Sequence, residues 1–297
     1  MRCACVDIGS NTTRLLVADC APAEAAPLQV LCARRSFVGL PECAAGEPVG
    51  TARAARLATV VAAHVALARE HGAGRVRIVG TAALRRAPDR DEVVAAVQRA
   101  CGLPVAVLDP HEEARLAFAG AVHGRELDPD AVVGVADIGG GSSELVLGTP
   151  GDGVQWSASV PTGSGVLAAA HLRSDPPSPA ELQALAAAAE EALAALRPPE
   201  PVAVALAVGG SAASLRRMAG GELDDAALDA ALRAVCARPA LEVAALHGIH
   251  AQRVRLLPAG LLLLRAAAHV LGRPLQVAGG GLREGVVLHE VARSGAG

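Results

Sequence analysis

Asp7-Ile8-Gly9-Ser10-Asn11-Thr12-Thr13 is matched 130 positions later by Asp137-Ile138-Gly139-Gly140-Gly141-Ser142-Ser143. The match runs on, with Leu15, Leu16 and Val17 falling on Leu145, Val146 and Leu147. Each copy reads as a β-prone run, an acidic strand end, a turn of small residues and an apolar return strand. Turn geometry alone asks for glycine, asparagine or serine, but not for the same order twice, so the pair implies two related lobes with a shared task. Glycine lets the backbone approach a ligand closely, and successive N–H groups and hydroxyls form a concave nest of donors for phosphate oxygens. Asp7 and Asp137 repel bare phosphate, so carboxylates beside such a nest call for Mg2+ or Mn2+ between them and the substrate.

Around the hairpins the pattern alternates. Residues 76–80, 105–108 and 202–208 read as strands, and a short strand falls near 275–277. Apolar residues at three- and four-residue spacing predict helices over 52–71, 91–101, 112–122 and 181–196, with a closing helix from Arg283. The fold class that follows is α/β, with mixed sheets flanked by helices. The strand-turn-strand pattern restarts after the polar connector 124–130. The expected division is an N-terminal lobe of residues 1–122 and a C-terminal lobe of 123–297, the last helix being able to return to the first lobe.

The 297 residues are enough for two cores at roughly 100–200 residues per domain. The apolar 52% is mostly Ala, Val and Leu, with 1% aromatic, so packing rests on small aliphatic side chains. A net charge of −3 argues against coating nucleic acid through bulk positive charge. Every basic residue besides histidine is arginine, whose planar fork suits bidentate phosphate contacts. Seven scattered cysteines, Cys43 among them, lack zinc or redox spacing and read as small buried hydrophobes in a reducing compartment. The N-terminus reaches Asp7 without the apolar core of a signal peptide, and the longest apolar stretch, 256–271, is broken by Pro258, Arg265 and His269. A cytoplasmic protein with no membrane span is expected.

Asp109-Pro110-His111-Glu112-Glu113 has the order of a helix start, with Asp109 as N-cap, Pro110 first in the helix and Glu112 third. Glu112 is thereby expected to close a capping box. Glu113 is not explained by capping and sits about 100° further round the helix, where the residues alone leave two readings open, a solvated helix-face glutamate and a general base facing a cleft. Arg75, Arg77, Arg85, Arg86 and Arg90 cluster around one strand and its exit, where a polyanionic tail could track.

Together these motifs resemble the exopolyphosphatase and guanosine pentaphosphate phosphatase (Ppx/GppA) family within the actin-like ATPase superfamily. The resemblance also rests on Gly80-Thr81-Ala82-Ala83-Leu84-Arg85, Glu112-Glu113-Ala114-Arg115-Leu116, Val208-Gly209-Gly210-Ser211, Leu257-Pro258-Ala259-Gly260 and Gly281-Leu282-Arg283-Glu284-Gly285. It implies two actin-like, ribonuclease H-like lobes with an interdomain cleft, in a short form without a helical C-terminal extension. Glu113 then matches the catalytic base, with Glu112, Asp137 and Glu144 as further acidic groups of the catalytic set. Asp7, Asp137 and Glu144 match metal positions. Ser10, Asn11, Thr12, Arg85, Gly139, Gly140, Gly141, Ser142 and Ser143 match phosphate contacts.

The implied activity is metal-dependent hydrolysis of the terminal phosphoanhydride of inorganic polyphosphate, which releases orthophosphate. Guanosine pentaphosphate is the alternative substrate, with a place in the stringent response, and a homodimer is implied. A non-catalytic sensor of polyphosphate or guanosine tetraphosphate, or a small-molecule kinase, are the rival readings. The carboxylate set speaks against the first, and the hydroxyl-poor stretch after Ser211 against the second. Asp109-Pro110-His111 departs from the Ser-Gly usual before the family's glutamate pair.

Overall fold

The computed structural model describes residues 1–20, 28–40, 47–219 and 222–295. Cys43 lies outside them. Contacts divide the chain into two compact units, one of Met1–Glu126 together with the chain from Gly279 onward, the other of Leu127–Ala278.

The first unit opens with β1 (Arg2–Ile8), β2 (Thr12–Asp19) and β3 (Gln29–Phe37), followed by α1 (Thr51–Glu70), β4 (Arg75–Gly80), α2 (Ala82–Arg86), α3 (Arg90–Cys101), β5 (Val105–Val107) and α4 (Pro110–Val122). Its five-stranded sheet has the order β3-β2-β1-β4-β5. β1 pairs antiparallel with β2 and parallel with β4, and β2 and β3 are antiparallel. Helices cover both faces, so the central strand is apolar from Cys3 to Val6. Ala4, Val6, Ile8, Leu15 and Val17 pack with Leu57, Val61 and Val65 of α1. The alternate residues Cys3, Cys5, Leu16 and Ala18 join Leu116 of α4 on the other face.

The second unit contains β6 (Val133–Ile138), β7 (Ser143–Thr149), β8 (Gly153–Val160), α5 (Ser164–His171), α6 (Pro179–Leu193), β9 (Val204–Val208), α7 (Gly209–Ala219), β10 (Glu222–Leu223), α8 (Asp225–Cys236), α9 (Ala240–His247), α10 (Ala251–Val254), α11 (Leu257–Leu271) and β11 (Leu275–Val277). Its six strands run β10-β11-β9-β6-β7-β8. Read from β8, the order β8-β7-β6-β9-β11 repeats β3-β2-β1-β4-β5, with the same parallel and antiparallel partners apart from the added β10. The registers coincide as well. Asp7 opposes Arg14 and Ile8 opposes Thr13, while Asp137 opposes Glu144 and Ile138 opposes Ser143.

The apolar stretch that sequence alone sets apart becomes α11, the buried central helix of the second core, which matches its apolar character all round. Among the described residues, no helix is long and apolar enough to cross a membrane.

The last element, α12 (Leu282–Gly295), lies in the first unit. It crosses α4 at glycines. A Cβ on Gly120 would stand 2.0 Å from the Gly281 carbonyl oxygen, and one on Gly285 would stand 1.8 Å from that of Leu116. Val286 and Val287 complete the Cys3, Cys5 and Leu116 core.

Candidate functional site

Both hairpins close through the same backbone bond. Gly9 N–H donates to Thr12 O at 3.1 Å, and Gly139 N–H donates to Ser142 O at 3.0 Å. The carbonyls of each turn are engaged by protein. In the first unit Leu40 N–H reaches Ser10 O at 2.7 Å, and the amides of Val38 and Gly39 reach Asn11 O. In the second unit the amides of Ser164, Gly165 and Val166, opening α5, bond to the carbonyls of Gly139 and Gly140. Acceptors are thus satisfied from behind, the arrangement an anion-binding turn requires.

Ser10 and Thr12 are buried, and the Asn11 side-chain nitrogen is buried without a hydrogen-bond partner. Ser142 and Ser143 are buried, but the Ser143 hydroxyl donates to Thr162 O at 2.7 Å and so pins the loop. Gly139 and Gly140 are half-buried and Gly141 is buried.

In the first unit the base candidate, Glu113, is buried in the first turn of α4. Arg85 Nη1 holds Glu113 Oε2 at 2.8 Å and donates to Leu108 O at 2.7 Å, which fixes both the carboxylate and the approach to its helix. Burial pushes the Glu113 carboxyl up, the Arg85 guanidinium pulls it down by hydrogen bond and charge, and the Asp7 charge adds to the rise. Asp7 is also pushed up by burial, opposed by Arg14 and Arg283.

Glu112 is not part of a capping box. Asp109 Oδ1 does accept from Glu112 N–H at 2.8 Å, but the Glu112 carboxylate turns to Arg77 Nη2 at 2.9 Å. A full guanidinium charge within reach outcompetes a backbone amide for a carboxylate. Three arginines of the expected track have acidic neighbours. Arg77 also pairs with Glu290, Arg75 stands 4.0 Å from Glu290, and Arg90 pairs with Asp91.

In the second unit Asp137 is the penultimate residue of β6, half-buried. Gly209, with φ of +94°, leads from β9 into α7, where a Cβ would stand 2.9 Å from Asp137 Oδ1. Only glycine serves there. Glu144 is buried and accepts from the Ser159 hydroxyl at 2.8 Å.

Two arginines escape a reading based on motifs. Arg14 opposes Asp7 across β1 and β2, and itself faces Arg35 on β3. Burial, then the neighbouring Arg283 charge, pull its guanidinium down to about 9, with Asp7 opposing, so it stays charged at neutral pH. The other is Arg253 of α10, buried with its guanidinium against Gly210. Strand register could have found Arg14, seven residues beyond Asp7. Arg253 gives no local signal.

Among the described residues no three His, Cys, Asp or Glu side chains gather into one ligand cluster. Mg2+ does not need one, since it binds through one or two carboxylates plus waters and substrate phosphates. Asp7, buried and engaged by no hydrogen bond or ion pair among the described residues, fits that mode.

Two ribonuclease H-like lobes, each with a small-residue hairpin after an aspartate-ended strand, define the actin-like class. The sequence profile of the Ppx/GppA phosphatase family matches residues 28–294, and the chain belongs to that family. Its Aquifex aeolicus member superposes with a TM-score of 0.78 at 26% identity, covering 99% of this chain and 98% of that one. An exopolyphosphatase from Cytophaga hutchinsonii shares the fold, with a TM-score of 0.81 at 21% identity over 99% and 98% of the two chains. An uncharacterized protein of Streptomyces coelicolor is 37% identical over 193 residues, 62% of this chain and 54% of that relative. This chain thus spans about half of that relative's length. Exopolyphosphatase 1 of Mycobacterium tuberculosis is 26% identical over 310 aligned positions, 98% of this chain and 88% of the relative.

Proposed function

We propose that the chain hydrolyses the terminal phosphoanhydride of inorganic polyphosphate and releases orthophosphate. The observation that carries this reading is Glu113, a buried carboxylate beside Arg85 and Asp7 at the start of α4. Water attacks the terminal phosphorus, the bridging P–O bond breaks, the shortened polyphosphate leaves with the electron pair on its oxygen, and the attacked phosphoryl is released as orthophosphate. Glu113 takes the proton of that water, which its raised affinity for protons favours near neutral pH. Arg85, already shared between Glu113 and Leu108 O, holds a terminal phosphate oxygen with its remaining donors. In the first unit the hairpin amides, with Ser10, Asn11 and Thr12, are donors to phosphate oxygens. Asp7 would hold Mg2+, which when bound would neutralise phosphate charge.

Phosphate release from polyphosphates of graded length and from guanosine pentaphosphate, each with and without Mg2+ or Mn2+, tests the reading. Metal-dependent release with polyphosphate preferred is expected. A preference for guanosine pentaphosphate would replace the substrate, and no release from any of them would overturn the hydrolase.

A second expectation concerns pH. Arg85 opposes the rise of the Glu113 pKa, so Arg85→Met removes that restraint and moves the acid limb of kcat to higher pH, while KM rises. A limb that stayed in place or moved down would dissociate Arg85 from the base.

A further inference from the structure

Glu112 and Glu113 are neighbours on one helical turn, and about 100° separates their directions. Fixing one therefore aims the other. Arg77 lies on the face of β4 that Val79 shares with Leu116 of α4 and Val286 of α12. Its fork is divided, Nη2 to Glu112 Oε1 at 2.9 Å and Nη1 to Glu290 Oε1 at 3.1 Å. Arg77 and Glu290 keep only 18% and 15% of their side-chain surface exposed, so this is no solvated surface pair of the kind that contributes little. Arg75 approaches the other oxygen of Glu290 at 4.0 Å.

We infer that Arg77 is a positioning residue: tied to Glu112 and oriented by Glu290 of α12, it sets the rotation of the first turn of α4 and with it the aim of Glu113. The inference rests on the hydrolase reading above for its catalytic consequence, but not for its geometry. Two other sets of contacts act on the same turn, the Asp109 cap and the Arg85 bonds to Leu108 O and Glu113 Oε2, while the close crossing of Gly120 with Gly281 holds the far end of α4. The Arg77 pair with Glu112 differs from these side-chain contacts in being tied to α12, through Glu290. It makes the alignment of the base depend on a helix more than a hundred and fifty residues further along the chain.

The test uses the full chain carrying Arg77→Gln, Arg77→Lys or Glu290→Gln. Arg77→Gln is expected to lower kcat on polyphosphate about ten- to a hundredfold, the scale of a small misplacement of a catalytic group, with KM within about twofold. Arg77→Lys should recover only part of the loss, because one ammonium cannot divide between two carboxylates as a guanidinium fork does. Glu290→Gln should shift kcat in the same direction by less, and it keeps the test open if Arg77→Gln fails to fold. Amide exchange supplies a readout independent of turnover. The Glu112 and Glu113 amides, bonded to Asp109, should exchange faster in both the Arg77→Gln and Glu290→Gln variants, while the rest of the first unit keeps its protection. Wild-type kcat with unchanged exchange at these two amides would overturn the inference, as would exchange accelerated evenly through the unit. If the unmutated chain released no phosphate, the hydrolase reading would fall, and the exchange data alone would decide the positioning role.

Discussion

Replacing Glu113 with glutamine is expected to lower kcat by about a hundred- to ten-thousandfold, the range of a lost general base, while KM changes little. Glutamine keeps the shape and an acceptor oxygen for Arg85 but cannot take a proton from water. If Glu113 served only as an anchor for Arg85, the variant would retain turnover within a few fold, because the hydrogen bond survives. Steady-state phosphate release separates the two outcomes. The same substitution has a signature in stability. The folded carboxyl binds its proton more tightly than the unfolded one, so its contribution is fully present below the ordinary glutamate pKa and is lost as pH rises through the raised folded value. The Glu113→Gln variant should lose that part of the pH dependence of unfolding.

Gly285→Ala should destabilise the first unit by roughly 3 kcal/mol or more, at the upper end of overpacking costs. Helix propensity works the other way, since alanine gains about 1 kcal/mol over glycine in a helix interior. The clash decides the sign. The new methyl would stand 1.8 Å from Leu116 O and 2.7 Å from Leu116 C, both backbone atoms of α4 that no rotamer can move. Melting followed by circular dichroism should show the midpoint down by about 6–10 °C. A midpoint unchanged or raised would mean that the two helices do not touch at this glycine. Because Leu116 follows Glu113 by one turn, kcat should fall with the midpoint.

The hairpins are legible in the sequence because a tight turn between paired strands restricts residue type over a short segment, and the restriction appears twice. The repeat is matched to the residue by the strand registers, Asp7 with Arg14 and Asp137 with Glu144. Capping does not separate Glu113 from Glu112, because the Glu112 carboxylate pairs with Arg77 rather than closing the helix start. Edge strands are harder. β3, Gln-Val-Leu-Cys-Ala-Arg-Arg-Ser-Phe, and β8, Gly-Val-Gln-Trp-Ser-Ala-Ser-Val, are exposed enough that polar residues break the alternation a half-buried strand would show. Contacts distant in the chain leave no local trace. Nothing near Glu112 announces that its partner is Arg77 rather than its own helix start, or that Arg77 is shared with Glu290. Gly120 and Gly285 look like ordinary helix-weakening glycines in a chain rich in small residues, until the crossing shows why no side chain fits.

The placement of α12 with the first unit has a consequence for synthesis on the ribosome. The second unit is one uninterrupted segment and can fold as soon as it has emerged. The first cannot finish, because the nascent sheet and α4 present Cys3, Cys5, Leu16 and Leu116 to water until Val286 and Val287 have been translated. Premature termination before Gly279 would leave that greasy surface uncovered for good, a natural target for chaperones and quality-control proteases, while the segment already folded behind it stayed intact.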